Sequence, residues 1–286
     1  MNPTELLTNR LEASGYEPIQ RLERVAVAYP SGNTTAIIFD QLANYDPKDL
    51  NGQIMSAWKS QYPDQPGIEQ CCVITQPQDI DAIARVEMLG GEFCGNATRS
   101  ALWLLTGGRR RTGLVEVSGV DRPLIFSVRD KEVMLEMPLP RDSELVRRVD
   151  EGLLVQLEGI VQLVTSPQPN QTPRRLLETL LKDNKYQLTK QPAVGMSVYD
   201  KETKQATFCV WVRDIDTMFD ETACGSGTSA IGVAQAWEAG QPVALDIIQP
   251  SGETIRTEAT IKPGTVDASF ITGSVSILYD GPLELA

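Results

Sequence analysis

At 286 residues the chain is long enough for two domains of about 130–150 residues, each with its own core. A formal net charge of −12 and a pI near 4.6 exclude the clustered basic surface that nucleic acid or an anionic membrane would require as partner. There is no histidine, which rules out Ser-His-Asp and Cys-His nucleophile pairs and histidine-based zinc sites. Five cysteines, odd in number and without Cys-x-x-Cys spacing, make neither a disulfide framework nor a thiolate zinc site, so no metal is expected and a reducing cytoplasm is the expected compartment. Met1 to Glu12 has neither a basic start nor an apolar core, and no apolar stretch of about 20 residues marks a membrane span.

Residues 1–22 read as an extra helix or loose arm, with Leu6, Leu7 and Leu11 at helical spacing. Two apolar runs, Val25–Tyr29 and Ala36–Phe39, flank Pro30-Ser31-Gly32-Asn33, a strand–turn–strand pattern. Pro47 to Lys59 predicts a helix, and Glu69 to Thr75 and Ala82 to Met88 predict strands. A helix beginning at Cys94 should stop at Gly107, followed by strand residues Leu114–Val117 and a hairpin, Leu124–Val128 with Val133–Met137, turning at Asp130-Lys131. Leu153 to Val164 is strand material, and Thr172 to Lys182 is a helix opened by Pro173. Ala193–Tyr199 and Ala206–Val212 should pair across Asp200-Lys201-Glu202. A helix beginning at Cys224 should end at Gly240, before strands at Val243–Ile248, Ile255–Ala259 and Ser274–Tyr279. Arg213 to Thr222 is polar and reads as irregular.

Two of these helices open alike. Cys94-Gly95-Asn96-Ala97-Thr98 and Cys224-Gly225-Ser226-Gly227-Thr228 each set a thiol and small residues at a helix start, where free amides and the macrodipole favour a thiolate or a bound carboxylate. Each helix is followed by a Ser-Gly between strand-like runs, Ser118-Gly119 and Ser251-Gly252. Helix then strand, twice in similar order, implies two pseudo-equivalent α/β domains that each bring a thiol to a shared site. Cys209 and the Cys71-Cys72 pair sit in strand contexts and are expected as core. Asp220 and Glu221 fit dipole-stabilising residues ahead of a helix.

The paired Cys-Gly-Asn and Cys-Gly-Ser-Gly-Thr motifs, with Pro30-Ser31-Gly32-Asn33, Glu69-Gln70, Val194-Gly195-Met196 and Gln249-Pro250-Ser251-Gly252, resemble the diaminopimelate epimerase superfamily of cofactor-independent amino-acid racemases and epimerases. Glu92-Phe93-Cys94-Gly95-Asn96-Ala97-Thr98 is more similar to the histidine racemase of metallophore biosynthesis than to true diaminopimelate epimerases. The resemblance implies an α/β (α+β) fold of two pseudo-symmetric epimerase-like domains, each a barrel-like sheet around a central helix, with the last strand returning to the first domain. Their expected limits are 1–119 plus 272–286, carrying Cys94, and 120–271, carrying Cys224. A monomer or homodimer acting on a free amino acid is expected.

The chemistry implied is inversion at Cα with no cofactor, one cysteine removing the proton as thiolate and the other returning one from the opposite face. Gly95, Asn96, Gly225 and Ser226 would hold the substrate carboxylate, and Asn33, Glu69 and Gln70 would make further contacts. Where diaminopimelate epimerases carry a Glu-Arg pair for the far end of their substrate, this chain has Ile215 and Asp216. An unpaired distal carboxylate would be costly to bury there, so Asp216 and Glu69 point to a cationic or imidazole side chain, with histidine leading and LL-diaminopimelate as the alternative substrate. From a different class, a non-catalytic small-molecule-binding protein remains an alternative. So does a nucleotide site at Gly225-Ser226-Gly227, which matches a relaxed dinucleotide fingerprint but would need a strand immediately before its glycines.

Overall fold

The computed structural model describes residues 19–39, 45–140, 144–213, 217–262 and 265–285. Of the arm expected over residues 1–22, residues 1–18 lie outside them, as does Asp216, whereas Arg21 and Leu22 are strand and not arm, because Leu22 is buried and pairs with Leu283. The first strands, β1 (Arg21–Tyr29) and β2 (Thr35–Ile38), are antiparallel, and their connection holds Ser31, Gly32 and Asn33 at positive φ. Helix α1 (Pro47–Gln61), capped by the Asp46 side chain, precedes β3 (Gln70–Thr75) and β4 (Ala82–Met88). Helix α2 (Gly95–Thr106) is followed by β5 (Arg111–Val117), β6 (Leu124–Arg129) and β7 (Glu132–Met137). Next come β8 (Val146–Val149), β9 (Gly152–Leu157), β10 (Ile160–Thr165), α3 (Pro173–Lys182), β11 (Ala193–Tyr199), β12 (Ala206–Val212) and β13 (Thr217–Glu221). Helix α4 (Gly225–Ala239) leads into β14 (Val243–Ile248), β15 (Thr254–Lys262), β16 (Thr265–Ser274) and β17 (Ser276–Glu284).

The strands form two sheets. One has 11 strands in the order β14-β15-β16-β7-β6-β5-β4-β3-β2-β1-β17; the other has six, β13-β12-β11-β10-β9-β8. The element order repeats. A hairpin, β1–β2, runs into a parallel pairing with β3 across helix α1; β9–β10 does the same with β11 across α3. Each copy then turns antiparallel, enters its cysteine helix and ends in three antiparallel strands, β5–β7 or β14–β16.

Apolar burial follows the same plan. Around α2, Ala97, Ala101 and Leu102 pack with Ile37, Val86, Val115, Phe126 and Leu135; around α4, Ala230, Ile231 and Ala234 pack with Val155, Phe208, Ile247 and Ala259. Both central helices are sheathed in sheet, and both stop at a left-handed glycine, Gly107 and Gly240. Helices α1 and α3 bury one face each on the outside of the sheets, through Leu50, Ile54 and Trp58 and through Leu177 and Leu180. Cys71 joins the α1 cluster and Cys72 the α2 core, as alternation along a strand requires. Cys209 is core, as expected.

The fold is therefore the sheet-rich α/β class expected. Domain limits at 119/120 and 271/272 are a proposal: β5 pairs β6 across the first, β16 spans the second, and the second copy of the element order begins at β8–β9. Three strands were not expected, β8, β13 and β16. The last strand does return to the start of the chain, pairing with β1.

Candidate active site

Cys94 and Cys224 are the N-caps of α2 and α4, with nearly the same backbone angles, φ −133 and ψ 114 for Cys94, φ −127 and ψ 109 for Cys224. Each sulfur accepts a capping bond from the amide three residues on, Ala97 N at 3.5 Å and Gly227 N at 3.2 Å. This spends one of the first-turn amides that have no partner within a helix. The helix starts abut. A methyl group built on Gly95 would sit 3.0 Å from Ile271 Cδ1, and one on Gly225 would sit 3.1 Å from the same atom and 3.5 Å from Asn96 Oδ1. Ile271 of β16 thus lies beneath both first turns, with Met137 of β7 beside Gly95.

The two copies interlock here. Asn96 Nδ2 donates to Ala223 O (3.2 Å), and Ser251 Oγ donates to Ser31 O (2.7 Å). The Asn33 amide donates to Thr222 Oγ1 (2.7 Å), which donates to Glu69 Oε1 (2.6 Å). Gly32 runs so close to Thr222 and Ala223 that a side chain there would meet Ala223 Cβ at 2.9 Å. Beneath the crossing, Arg99 is wholly buried. Its Nη2 donates to Pro30 O and Asn96 Oδ1 (3.0 and 2.9 Å), while Nε and Nη1 have no partner among the described residues. Burial pulls its pKa down to about 10. Asn33 Oδ1 is likewise buried without a donor.

The Ser-Gly loops serve both caps alike. Ser118 Oγ donates to Glu92 O (2.6 Å) and the Ser251 amide to Thr222 O (2.9 Å), in each case the carbonyl two residues before the cysteine. Each thiol also has a glutamine nearby. The Cys94 thiol donates to Gln70 Oε1 (2.9 Å), whose Nε2 reaches Thr35 Oγ1 (2.8 Å) on the paired strand. Near Cys224 the Ser226 hydroxyl lies 3.4 Å from Sγ and accepts from Gln162 Nε2 (2.9 Å); Ser197 Oγ in turn donates to Gln162 Oε1 (3.0 Å). Gln162 stands opposite Gly195 in the parallel ladder, and its amide occupies the space a Cβ on Gly195 would take.

Of the residues expected at the site, the structure brings together Asn33, Glu69, Gln70, Cys94, Gly95, Asn96, Cys224, Gly225 and Ser226. Glu69 is exposed, and Asn96 is committed to Ala223 and Arg99 through its side chain. Asp216 lies outside the described residues. Sequence reasoning missed Gln162, Ser197 and Thr222, and read Glu221 only as a dipole-stabilising residue. Asp220 turns outward to pair with Arg174 (2.7 Å), whereas Glu221 interacts with the Cys224 thiol. The only signal available was that both precede a cysteine helix.

The thiols do not sit near neutrality. Burial pushes Cys94 up to about 12 and Cys224 well above its ordinary value, against the smaller lowering by the amides of Ala97 and Gly227. The expected helix-end acidification is outweighed because each sulfur takes one long amide bond while losing most of its water. Glu221 is raised to about 7, by burial first and by Glu69 last, with its bond from Cys224 acting the other way.

A strand does precede Gly225-Ser226-Gly227, contrary to the expectation of an irregular segment: β13 is stabilised by pairing with β12. It is an antiparallel edge strand, and the strand after α4 joins the other sheet, so no βαβ unit forms. Gly227 is filled by packing instead, since a Cβ there would lie 2.4 Å from the Phe208 ring. Among the described residues no group of three or more acidic or cysteine side chains could hold a metal ion, and no helix is long and apolar enough to cross a membrane.

The family described as the histidine racemase CntK N-terminal domain matches residues 25–283. A histidine racemase of Staphylococcus aureus (strain Mu50) is 24% identical over 240 residues, covering 80% of this chain and 85% of its own. One from Fusobacterium nucleatum subsp. nucleatum is 26% identical over 279 residues, covering 90% and 94%. Among solved structures, a probable proline racemase of Agrobacterium radiobacter K84, with bound carbonate, superposes with a TM-score of 0.62 at 15% identity, over 92% of this chain and 93% of that one. That likeness is one of fold.

Proposed function

The chain belongs to the histidine racemase family over residues 25–283, and on that premise we propose that it inverts the Cα of histidine, or of another amino acid with a cationic or imidazole side chain, by proton transfer between two thiols and without a cofactor. It is an isomerase of the amino-acid racemase class. The observation that carries the finer reading is the pair of N-cap thiols with matching backbone angles on two helices whose first turns abut. In this reading Cys94 and Cys224 face Cα from opposite sides, one as base and one as acid, exchanging roles in the reverse direction.

The Cα–H beside a carboxylate is a weak acid, so catalysis must stabilise the charge that flows into that carboxylate. First-turn amides of Gly95-Asn96 and Gly225-Ser226 lie at two positive helix ends and would receive it, each good donor being worth roughly 3–4 kcal/mol in comparable sites. The Arg99 cation behind Asn96, whose Nε and Nη1 have no partner among the described residues, adds to the same positive field, and the Asn33 Oδ1, likewise without a donor there, offers an acceptor for the substrate ammonium. Carboxylates at Glu69 and Glu221 favour a far end that is cationic or can donate hydrogen bonds, which agrees with the family.

The test is α-proton exchange in heavy water with dialysed, chelator-treated protein, run on histidine, lysine, ornithine, arginine and LL-diaminopimelate side by side, for wild type, C94A and C224A. Histidine should have the highest kcat/KM, and either cysteine variant should lose at least about a thousandfold. A tenfold advantage for diaminopimelate would overturn the substrate. Near-wild-type turnover in a single variant would overturn the two-thiol scheme, and activity restored only by pyridoxal phosphate or a metal would overturn cofactor independence.

A further inference from the structure

Each sulfur has a capping amide, but the side chains beyond it act on the two thiols in opposite senses. We infer that Thr35 and Gln70 form a hydrogen-bond relay that holds the proton on Cys94 in the free enzyme, so that Cys94 enters the reaction as the acid and Cys224 as the base. The inference rests on the two-thiol reading and deepens it, by making Thr35 and Gln70 positioning residues of that site.

The bonds fix each proton in turn. Thr35 Oγ1 has one proton and donates it to Asn33 O (3.0 Å). Its oxygen is then left to accept, so the end of the Gln70 amide that faces it is Nε2 (2.8 Å). The other end, Oε1, is thereby turned to Cys94 Sγ at 2.9 Å. An amide oxygen accepts and does not donate, so this sulfur carries a proton; a thiolate in its place would face a lone pair. Thr35 is wholly buried, and it stands opposite Gln70 in the parallel ladder of β2 and β3, so the backbone sets the spacing.

Near Cys224 the same parts are arranged the other way. The glutamine has changed strand: Gln162 lies on β10, the counterpart of β2, opposite Gly195 on β11, the counterpart of β3. Ser197 Oγ donates to Gln162 Oε1 (3.0 Å), which turns Nε2 to Ser226 Oγ (2.9 Å). Ser226 keeps its own proton for Cys224 Sγ, 3.4 Å away, and the Gly227 amide is a second donor at 3.2 Å. Donors steady a thiolate, and an acceptor steadies a thiol. Burial and Glu221 act against charge on both sulfurs. What differs in kind is the polarity of the two relays.

The relay of Cys94 has a second state built from the same atoms. Once Cys224 has taken the Cα proton and Cys94 has given its own to the carbanion, the negative charge has moved from one sulfur to the other. Half a turn of the Gln70 amide then brings Nε2 to the Cys94 thiolate and Oε1 to Thr35, whose hydroxyl swings from Asn33 O to meet it. Hydrogen bonds are exchanged and no further proton changes its atom. The relay follows the charge on the sulfur and adds none of its own.

The experiment is alkylation of Cys94 and Cys224 in the free enzyme by two neutral reagents of different size, iodoacetamide and N-ethylmaleimide. It is read by mass spectrometry across the neutral to alkaline range, in wild type, T35V, T35S and Q70E. The other charged or titratable groups that act with Cys94 are Glu92, Glu221, Cys72 and Arg99, and all four proteins keep them. In T35V the amide loses the partner that orients it. Alkylation of Cys94 at about pH 8 should rise about three- to tenfold with both reagents, the worth of one hydrogen bond, while Cys224 stays within about twofold. T35S, which keeps the hydroxyl, should match wild type. Q70E sets a carboxylate against the sulfur and should slow Cys94 at least about tenfold. Mirror-image substrates share one kcat/KM, so in turnover the relay appears in the two kcat values, whose ratio should shift at least about threefold in T35V and not in T35S. Wild-type Cys94 rates in T35V would overturn the relay. So would an equal rise at both cysteines, which is a loosened fold, or a rise with the smaller reagent alone, which is access. Should T35V fail to fold, undiminished Cys94 alkylation in Q70E overturns it as well. C94A separates the two layers: turnover in C94A removes the two-thiol reading itself, whereas inactive C94A beside an unaltered T35V removes only the relay.

Discussion

A half-buried carboxyl with a raised pKa weakens the fold wherever it must ionise. Glu221 rises from 4.5 to about 7 on folding, so its contribution to stability is fully present below pH 4.5, is lost as pH rises to about 7, and is flat above. E221Q lacks that loss. It should be more stable than wild type at pH 8, by about 3 kcal/mol at most, relative to the difference between the two proteins at pH 4.5. Urea unfolding at both pH values checks this, and an equal difference at the two would mean that Glu221 is not strained by burial. At this scale Cys94 and Cys224 were legible because their motif occurs twice. Gln162 was not, because nothing local distinguishes a strand glutamine whose amide lies over a glycine on the neighbouring strand. Glu221 was read as a dipole partner because its burial depends on β12 and on Glu69, both remote in sequence.

Among the elements, α4 is the most tightly bedded. Gly227 has no room for a methyl group against the Phe208 ring, with Ser197 Oγ 2.8 Å from the same point. G227A should therefore cost about 1–3 kcal/mol by forcing the helix off the sheet. Gly52, inside α1, has open space around its Cα, and G52A should gain about 0.5–1 kcal/mol from helix propensity alone. Thermal and urea melts of the pair check both signs; a tolerated G227A would mean the helix–sheet spacing is slack. The strong apolar runs foretold β1 to β7 and both cysteine helices. They could not foretell β16, whose inward positions include Ser269 and Gly273 beside Val266 and Ile271; its Ser269 is buried against Ser229 (2.8 Å) instead. Nor could they foretell β13, a polar edge strand with Phe219 turned to solvent.

For the molecule as a whole, the helix starts that carry the two thiols abut, and the Asn33–Thr222–Glu69 bonds join the two copies beside them. Peroxide should inactivate the enzyme by joining Cys94 to Cys224, substrate should protect, and a dithiol should restore activity. Peptide mapping of the oxidised protein checks it, and inactive protein without that link would show a different cause. Duplication was visible in the sequence, but the join was not: six residue pairs of β7 and β16, from Met137 with Ser269 to Glu132 with Ser274, merge strands of both copies into one sheet. That ladder passes under the thiols, because Met137 and Ile271 touch the first turns of the cysteine helices. A ladder in that place should act less like a door hinge than like a torsion bar set beneath the two sulfurs. Twisting such a bar swings the rim, where Glu69 and Ser251 make their cross-copy bonds, through a longer arc than it moves the two sulfurs. On that geometry substrate entry should need a wide excursion at the lip and leave the spacing of Cys94 and Cys224 little changed.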